Sequence, residues 1–580
     1  MKNVVHSVLF LLSFGTALLD AQEIFFRIRL DSAGTGATSN GQGTGYAVLS
    51  SDKKSLSYDI TVNNLSNAIS ASHFHYVPTT SVIQGITFDG KTATGTWSNL
   101  PDTIVNALFQ ENVYVNIHTS SFPGGEIRGV LKAEQFGYPL IVNGASAGTA
   151  SNGRGTGYLR VIDDGNNNGA ATRLSYRVTY AGMSGTRTAA HFHALPGGGV
   201  IHAVAFTDST LDEEWVNPPD SVFALLLKKK LYLNVHSSVN AGGEIRANIP
   251  DFVGEISFTG ILDGAQASTA STAKGTVWAI LQPDLKLKYN ATYAKLQGSF
   301  TAAHFHTSTG GGVIHAVSFV KNHLAEDWTG LSDANLSDLM TGKVYLNVHS
   351  STNPGGEIRA NMKYSGANGM LSGELNGAQA STASQAKGTV WLQFMQDSAQ
   401  YHATIANLEG TLTAAHFHLL PGGGVIQPVT FVDSSTTGFW SPGIHMNDLF
   451  KGNVYLNVHS STAAGGEIRA NLKLGSGSPV TSVHSQTTPA VPQRFVLDQN
   501  YPNPFNPSTT IGFTLQSSGH ASLKVYDAIG REVATLANEV MEAGVYHQKV
   551  FNASQLSSGV YFATLTSAGK SQMRKLLLIK

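Results

Sequence analysis

Two short phrases recur together four times along this chain, and they constrain its fold more than any other feature. The first is His-Phe-His: His73-Phe74-His75, His191-Phe192-His193, His304-Phe305-His306 and His416-Phe417-His418. The second runs from Tyr-x-Asn-x-His to Gly-Gly-Glu-Ile-Arg, as in Tyr345 to His349 followed by Gly355 to Arg359. From the last His of the first phrase to the His of the second (His118, His236, His349, His459) is 43, 43, 43 and 41 residues, and the Glu follows 8 residues later each time. A unit copied at this spacing is one small domain's length, so each copy is expected to form its own core.

Within each copy, runs of alternating polarity are bounded by Gly, Asn and Asp. An example is Leu285-Lys286-Leu287-Lys288-Tyr289, and Gly-Thr pairs such as Gly275-Thr276 open others. Period-two alternation with such boundaries predicts half-buried antiparallel strands. Six to eight short strands per unit imply an all-β fold: a Greek-key β-sandwich or barrel. A short helix is expected at Ala334 to Met340, capped by Asp333 and burying Leu336, Leu339 and Met340. The units fall at 22–134, 138–250, 254–364 and 369–474, and four such domains are expected as beads in a row. Residues 475–493, rich in Ser, Thr and Pro, read as a linker, and 494–580 as a separate small β-sandwich.

Composition removes several function classes. Lys plus Arg number 37 against 38 Asp plus Glu, so no global field draws nucleic acid or an anionic membrane. With no Cys, disulfides, thiolate metal sites and thiol nucleophiles are excluded. Lys2, an apolar stretch to Leu19 and Ala21 have the form of a secretory signal peptide over residues 1–21. No transmembrane segment is expected in the mature chain. The Gly runs beginning at Gly197 and Gly310 lack the Lys-Ser/Thr of a phosphate loop and read as turns. Trp278 and Trp391 read as core residues rather than sugar platforms.

The repeated phrases resemble the chordin-type (CHRD) domain, over residues from about 23 to 474. The C-terminal module resembles the type A sorting domain of the type IX secretion system, through Tyr501-Pro502-Asn503-Pro504-Phe505-Asn506-Pro507, Val525-Tyr526-Asp527, Gly559-Val560-Tyr561 and the basic-apolar tail Lys575 to Lys580. That resemblance implies delivery to the surface of a Gram-negative bacterium, anchored or released, with the secretion machinery as partner. For the CHRD unit it implies a β fold and an extracellular setting but no agreed chemistry.

The chemistry rests on the His residues. Residues i and i+2 of a strand share a face, so His304 and His306 point together, as do Tyr345, Asn347 and His349. If the two strands are neighbours, three imidazoles converge in each copy: His73, His75 and His118; His191, His193 and His236; His304, His306 and His349; His416, His418 and His459. Three imidazoles suit copper or zinc and leave a coordination position open. The competing reading is a hydrogen-bonded network of polar side chains.

Glu126 and Arg128, Glu244 and Arg246, Glu357 and Arg359, and Glu467 and Arg469 stand as candidates for outer partners of the ligands, or as ion pairs with one another. A further position is His202 and His315 in two copies but Gln84 and Gln427 in the others, as a required ligand would not be. The pattern is also similar to copper–zinc superoxide dismutases, on which analogy His73, His75 and His118 hold copper and Arg128 guides an anion. It departs from them in lacking Cys and a zinc loop. The sequence therefore favours a non-enzymatic surface protein whose four copies add avidity for an extracellular ligand. The alternative is a copper or zinc metalloprotein with dismutase-like activity.

Overall fold

The computed structural model describes residues 22–474 and 495–580, apart from 164–168, 197, 207, 309–310, 367–368, 396–397, 421–422, 498–499, 501–502, 518 and 542–545. The signal peptide and the linker read from the sequence lie outside the described residues. Two compact units emerge: one holds the repeats except residues 418–426, and the other groups those residues with the C-terminal module.

The first repeat shows the common plan. Its strands are β1 (Ile24–Leu30), β2 (Gln42–Leu49), β3 (Ser55–Asn63), β4 (Ile69–Tyr76), β5 (Ser81–Gly85) and β6 (Thr92–Ser98), then helix α1 (Asp102–Phe109), β7 (Val113–Thr119) and β8 (Ile127–Glu134). They form one antiparallel sheet in the order β5-β4-β7-β8-β1-β2-β3-β6, and the second and third repeats follow the same order. The sheet curls so that β4 lies over β3 and β6. Phe74, the residue between the two His of β4, packs edge-on against Tyr58 at 5.2 Å and lies 5.6 Å from Trp97. Period two thus sends the Phe into the core and both His to the other face.

The helix expected in the third repeat is present at Asp333–Met340, with Leu336, Leu339 and Met340 buried. Its cap is Ser332 rather than Asp333: the Ser332 hydroxyl accepts from the Asn335 N–H at 3.1 Å.

The repeats are not beads in a row. They pack through alternating, reciprocal contacts. Between repeats one and two, Thr44 meets Thr179 at 2.7 Å and Thr61 meets Thr156 at 2.8 Å. Between three and four, Thr276 meets Thr404 at 2.7 Å and Thr292 meets Thr389 at 2.8 Å. There the Trp278 indole also donates to Gly373 O and the Trp391 indole to Gly260 O, each at 3.4 Å.

Repeats two and three join through their helices. Lys228 pairs with Asp333 and Lys343 with Asp220 across that seam, and a single apolar core runs through both repeats. Repeats four and one meet where Phe450 stacks on Phe109, with centroids 5.3 Å apart. These contacts close a ring. The Thr of each Gly-Thr pair, in the sequence only a strand opener, is a contact between domains. Because each Thr meets the counterpart of its own partner, the two Thr interfaces are locally two-fold.

The third-to-fourth interface buries His402, whose Nδ1 lies 2.6 Å from the Thr276 hydroxyl, and His323, 2.9 Å from the Thr292 hydroxyl. Burial, then Lys274, pushes the His402 imidazole down to about 3, against the opposing pull of Asp263. His323 is also lowered, again chiefly by burial and also by Lys387, against Glu374. Both rings are neutral in the folded protein, whereas an unfolded chain takes up protons from pH 6.5 downward. The stability these His residues contribute is therefore complete above that value and lost as pH falls toward the folded pKa. Each costs about 1.4 kcal/mol per pH unit in that window. Thermal melting between pH 7 and pH 4 is expected to show the fall, and His402→Gln to flatten it.

The C-terminal unit contains a three-stranded sheet (Val496–Leu497, Ser508–Thr514, Tyr546–Asn552) and a four-stranded one (Glu532–Met541, Gly519–Asp527, Gly559–Ser567, Lys570–Leu578). The tail read as a basic-apolar motif, Lys575 to Lys580, begins within the last of these strands and buries Leu576 and Leu578.

Candidate metal centre

β4 and β7 are neighbours, as convergence requires. In the third repeat the register sets His306 opposite Tyr345, His304 opposite Asn347 and Ala302 opposite His349, all on one face. The first and second repeats repeat it, with Ala71 opposite His118 and Ala189 opposite His236. An alanine across from the third His leaves room for the first ring to lean toward it. His191 Nδ1 lies 3.0 Å from His236 Nε2, and His304 Nδ1 lies 3.3 Å from His349 Nε2. In each of these three repeats one nitrogen from each of the three His falls within 4.8 Å of the others. In the fourth, His416 Nδ1 and His459 Nε2 lie 3.4 Å apart, and His418 has its Nδ1 2.7 Å from Gly423 O.

Backbone carbonyls decide which nitrogens face inward. The second His of each pair has Nδ1 against the carbonyl five residues on: His75 with Thr80 O at 2.9 Å, His193 with Gly198 O at 2.7 Å and His306 with Gly311 O at 3.1 Å. That residue has positive φ, 55° at Thr80, 67° at Gly198 and 69° at Gly311, which turns its carbonyl back toward the ring. Gly198 and Gly311, within the Gly runs, carry this carbonyl.

The third His does the same with the Gly-Gly turn. His118 Nδ1 is 2.8 Å from Pro123 O, His236 Nδ1 2.8 Å from Ala241 O and His349 Nδ1 2.8 Å from Pro354 O. A carbonyl only accepts, so each of these Nδ1 atoms carries a proton, and the Nε2 is the atom such a ring offers to a cation. Nε2 of His75, His193, His306 and His118, and Nδ1 of His73, are buried with no hydrogen-bond partner among the described residues.

The rest of the second phrase holds that turn. Asn116 Nδ2 donates to Gly124 O at 3.1 Å, as Asn347 does to Gly355 O. Gly125 has φ 121°, and a Cβ there would run into the Asn116 carboxamide. Gly125→Ala is accordingly expected to loosen His118 and lower stability by about 1–3 kcal/mol, read by chemical denaturation.

Glu126 is fully buried and accepts from the Ser66 N–H at 2.7 Å and from the hydroxyls of Ser39 (2.5 Å), Ser66 (2.8 Å) and Thr119 (2.7 Å). Its equivalents make related bonds: Glu244 with Ser151, Glu357 with Ser271 and Glu467 with Ser384. Burial alone would raise these carboxyls. The hydrogen bonds win, lowering all four, with Glu244 down to about 2.

The expected Glu–Arg ion pair is therefore not how these residues are used. Each Arg lies over the Tyr of its own repeat instead: Arg128 at 5.2 Å from the Tyr114 ring centroid, Arg246 at 4.1 Å from Tyr232, Arg359 at 3.4 Å from Tyr345 and Arg469 at 3.6 Å from Tyr455. Tyr345 in turn stacks on His306 at 5.0 Å, as Tyr114 does on His75 at 5.1 Å. Tyr, on the strand between those of His and Arg, separates the guanidinium from the imidazoles.

His73, His191 and His304 sit below the ordinary imidazole value, first through burial and then through the two neighbouring rings. That favours the neutral form, the one a cation binds. His202 and His315 lie on the opposite face, stacked on Trp215 and Trp328 at 4.2 and 4.5 Å, and take no part in the cluster.

The CHRD domain family model matches residues 19–131, 138–249, 258–362 and 371–472, well over half of the chain. The chain belongs to the CHRD domain family. A second model, the secretion system C-terminal sorting domain, matches residues 499–580. The four CHRD repeats with this type IX sorting domain make the chain a secreted or cell-surface protein and tie it to the secretion machinery.

No curated protein matches it. Among solved structures, E. coli alpha-2-macroglobulin aligns at 9% identity and a TM-score of 0.14, over 96% of this chain and 35% of that one. Salmonella alpha-2-macroglobulin reacted with methylamine aligns at 9% and 0.14, over 96% and 41%. The chain spans half or less of those proteins, and likeness at this level carries no argument. Among the described residues, no helix is long and apolar enough to cross a membrane.

Proposed function

We propose that each CHRD repeat is a metal-binding module, so that the chain delivers four histidine-ligated ions, copper foremost and zinc next, to the cell exterior. The observation that carries this reading is the orientation of the rings. In the first repeat backbone carbonyls take the Nδ1 protons of His75 and His118, and among the described residues their Nε2 atoms and His73 Nδ1 have no partner. In the other repeats the first His is within hydrogen-bond reach of the third, and the second His keeps an Nε2 turned to the cluster. A hydrogen-bonded network would satisfy those atoms, because buried polar atoms left unpaired cost about 1–3 kcal/mol each. A divalent cation satisfies all three at once. Three neutral imidazoles favour copper(II) over zinc by the general order of divalent affinities.

His73, His75 and His118 would hold the ion in the first repeat, His191, His193 and His236 in the second, His304, His306 and His349 in the third and His416, His418 and His459 in the fourth. Bound there, the metal supplies a Lewis-acid or redox centre with an open position. Glu126, Glu244, Glu357 and Glu467 act at a distance by holding the turn that orients the third His. Arg128, engaged with Tyr114, is poorly placed to guide an anion, which weighs for storage or display of the ion over dismutase chemistry. Titrating the purified protein with copper(II) is expected to raise its melting temperature until four equivalents are bound. A melting temperature unmoved by copper and zinc would contradict the reading.

A further inference from the structure

The four repeats differ at one place away from the His residues, and the difference opens a cleft. Val62, Tyr180, Tyr293 and Ile405 each precede the first His of their repeat by 11 residues. They share one register, opposite Gly43, Gly155, Gly275 and Gly388.

In the third repeat Tyr293 packs on Phe319 at 4.9 Å and Phe300 at 6.0 Å, and its hydroxyl donates to Lys321 O at 3.0 Å. In the second, Arg187 lies 3.5 Å over the Phe206 ring and 5.8 Å over Tyr180. Large side chains fill both places.

The first repeat has Val62 where those have Tyr, and Ile69 where they have Arg187 and Phe300. The space stands open as a cleft of about 680 Å³ walled by Val62, Leu65, Ile69, Ile86 and Phe88, with Lys91 at its edge. That is the size of a small-molecule site, with an apolar wall and a polar one that includes Asn63, Asn67, Ser70 and Thr87. The fourth repeat, with Ile405 and Leu412, has a cleft of about 540 Å³ at the corresponding position, but there Lys295 is paired with Asp433 at 2.8 Å. In the first repeat Lys91 Nζ donates to the neutral Asn63 Oδ1 at 2.5 Å, with no ion pair among the described residues, and no acidic residue lines the cleft.

We propose that the first CHRD repeat binds a small amphipathic carboxylate in this cleft, with the hydrocarbon among Leu65, Ile69 and Phe88 and the head on the Lys91 ammonium. The second and third repeats supply a natural control, since they close the same site with Tyr. In calorimetric titrations of the full chain, octanoate is expected to bind and octanol to bind about tenfold more weakly, the difference being one charge-assisted hydrogen bond.

Val62→Tyr must turn its ring out of the core into the cleft, and is expected to weaken octanoate by more than about tenfold, with some loss of melting temperature. Lys91→Gln, exposed and harmless to the fold, is expected to bring octanoate to the affinity of octanol. The proposal is overturned if the native chain takes up no octanoate, if Val62→Tyr binds it as the native chain does, or if Lys91→Gln leaves octanoate affinity unchanged.

Discussion

Replacing Glu126 by Gln is expected to lower the stability of the first repeat by about 2–4 kcal/mol, a large effect for a change of one atom. The carboxylate accepts from one backbone N–H and three hydroxyls in a site closed to water. An amide offers one acceptor oxygen and brings two donors of its own, so hydroxyls must turn and at least one buried group goes unpaired. The loss should spread to the metal site, because the turn Glu126 holds carries the Pro123 carbonyl that fixes His118. Hydrogen exchange of the β7 amides, Val113 to Thr119, reads the first effect, and copper affinity reads the second. Acid should mimic the substitution. The folded carboxyls lie below their ordinary value, so their contribution holds above about pH 4.5 and is lost as pH falls toward 2, the value for Glu244. Unchanged β7 exchange in Glu126→Gln would show that the clamp is not what holds the turn.

The second large effect is expected at the His residues. Changing His306 to Ala removes the Nε2 that the Gly311 carbonyl orients and leaves two imidazoles, His304 and His349, 3.3 Å apart. Two ligands hold a divalent ion far less well than three, and affinity at that repeat should fall by at least about 100-fold, as when a metal loses a ligand or its support. Without metal the same change should cost about 1–3 kcal/mol, because it removes the bond to Gly311 O and the stack on Tyr345 along with the unpaired nitrogen, and metal should no longer stabilise that repeat. A network of structural hydrogen bonds would give the same loss with and without added copper, whereas a metal site gives a larger loss when copper is present.

The His faces were legible in the sequence because they depend on period two alone: His304 and His306 must share a side of their strand, and Phe305 must oppose them. Their convergence depended on β4 and β7 being neighbours, which the fourfold recurrence of both phrases suggested and no local signal proved. The roles of Glu126 and Arg128 could not be read in this way. Glu126 finds Ser39 and Ser66, whose positions come from loops distant in sequence, and Arg128 spends its charge on Tyr114, a stacking that no spacing announces.

The ring was also hidden. Thr44, Thr156, Thr276 and Thr389 look like ordinary strand residues after Gly, and only the assembled domains show their hydroxyls meeting across interfaces. The Gly runs did carry a signal in retrospect. A left-handed residue five positions after the second His points its carbonyl at that ring, and a Gly there in three of four repeats is what such a turn needs.

The most direct test of the central claim is the metal content of the full chain after loading with copper(II) and exhaustive dialysis, beside a variant with His304, His306 and His349 all changed to Ala. Four equivalents for the native chain and three for the variant, with its other repeats intact by hydrogen exchange, are the expected result. No retained copper in the native chain, or the same content in both, would contradict it.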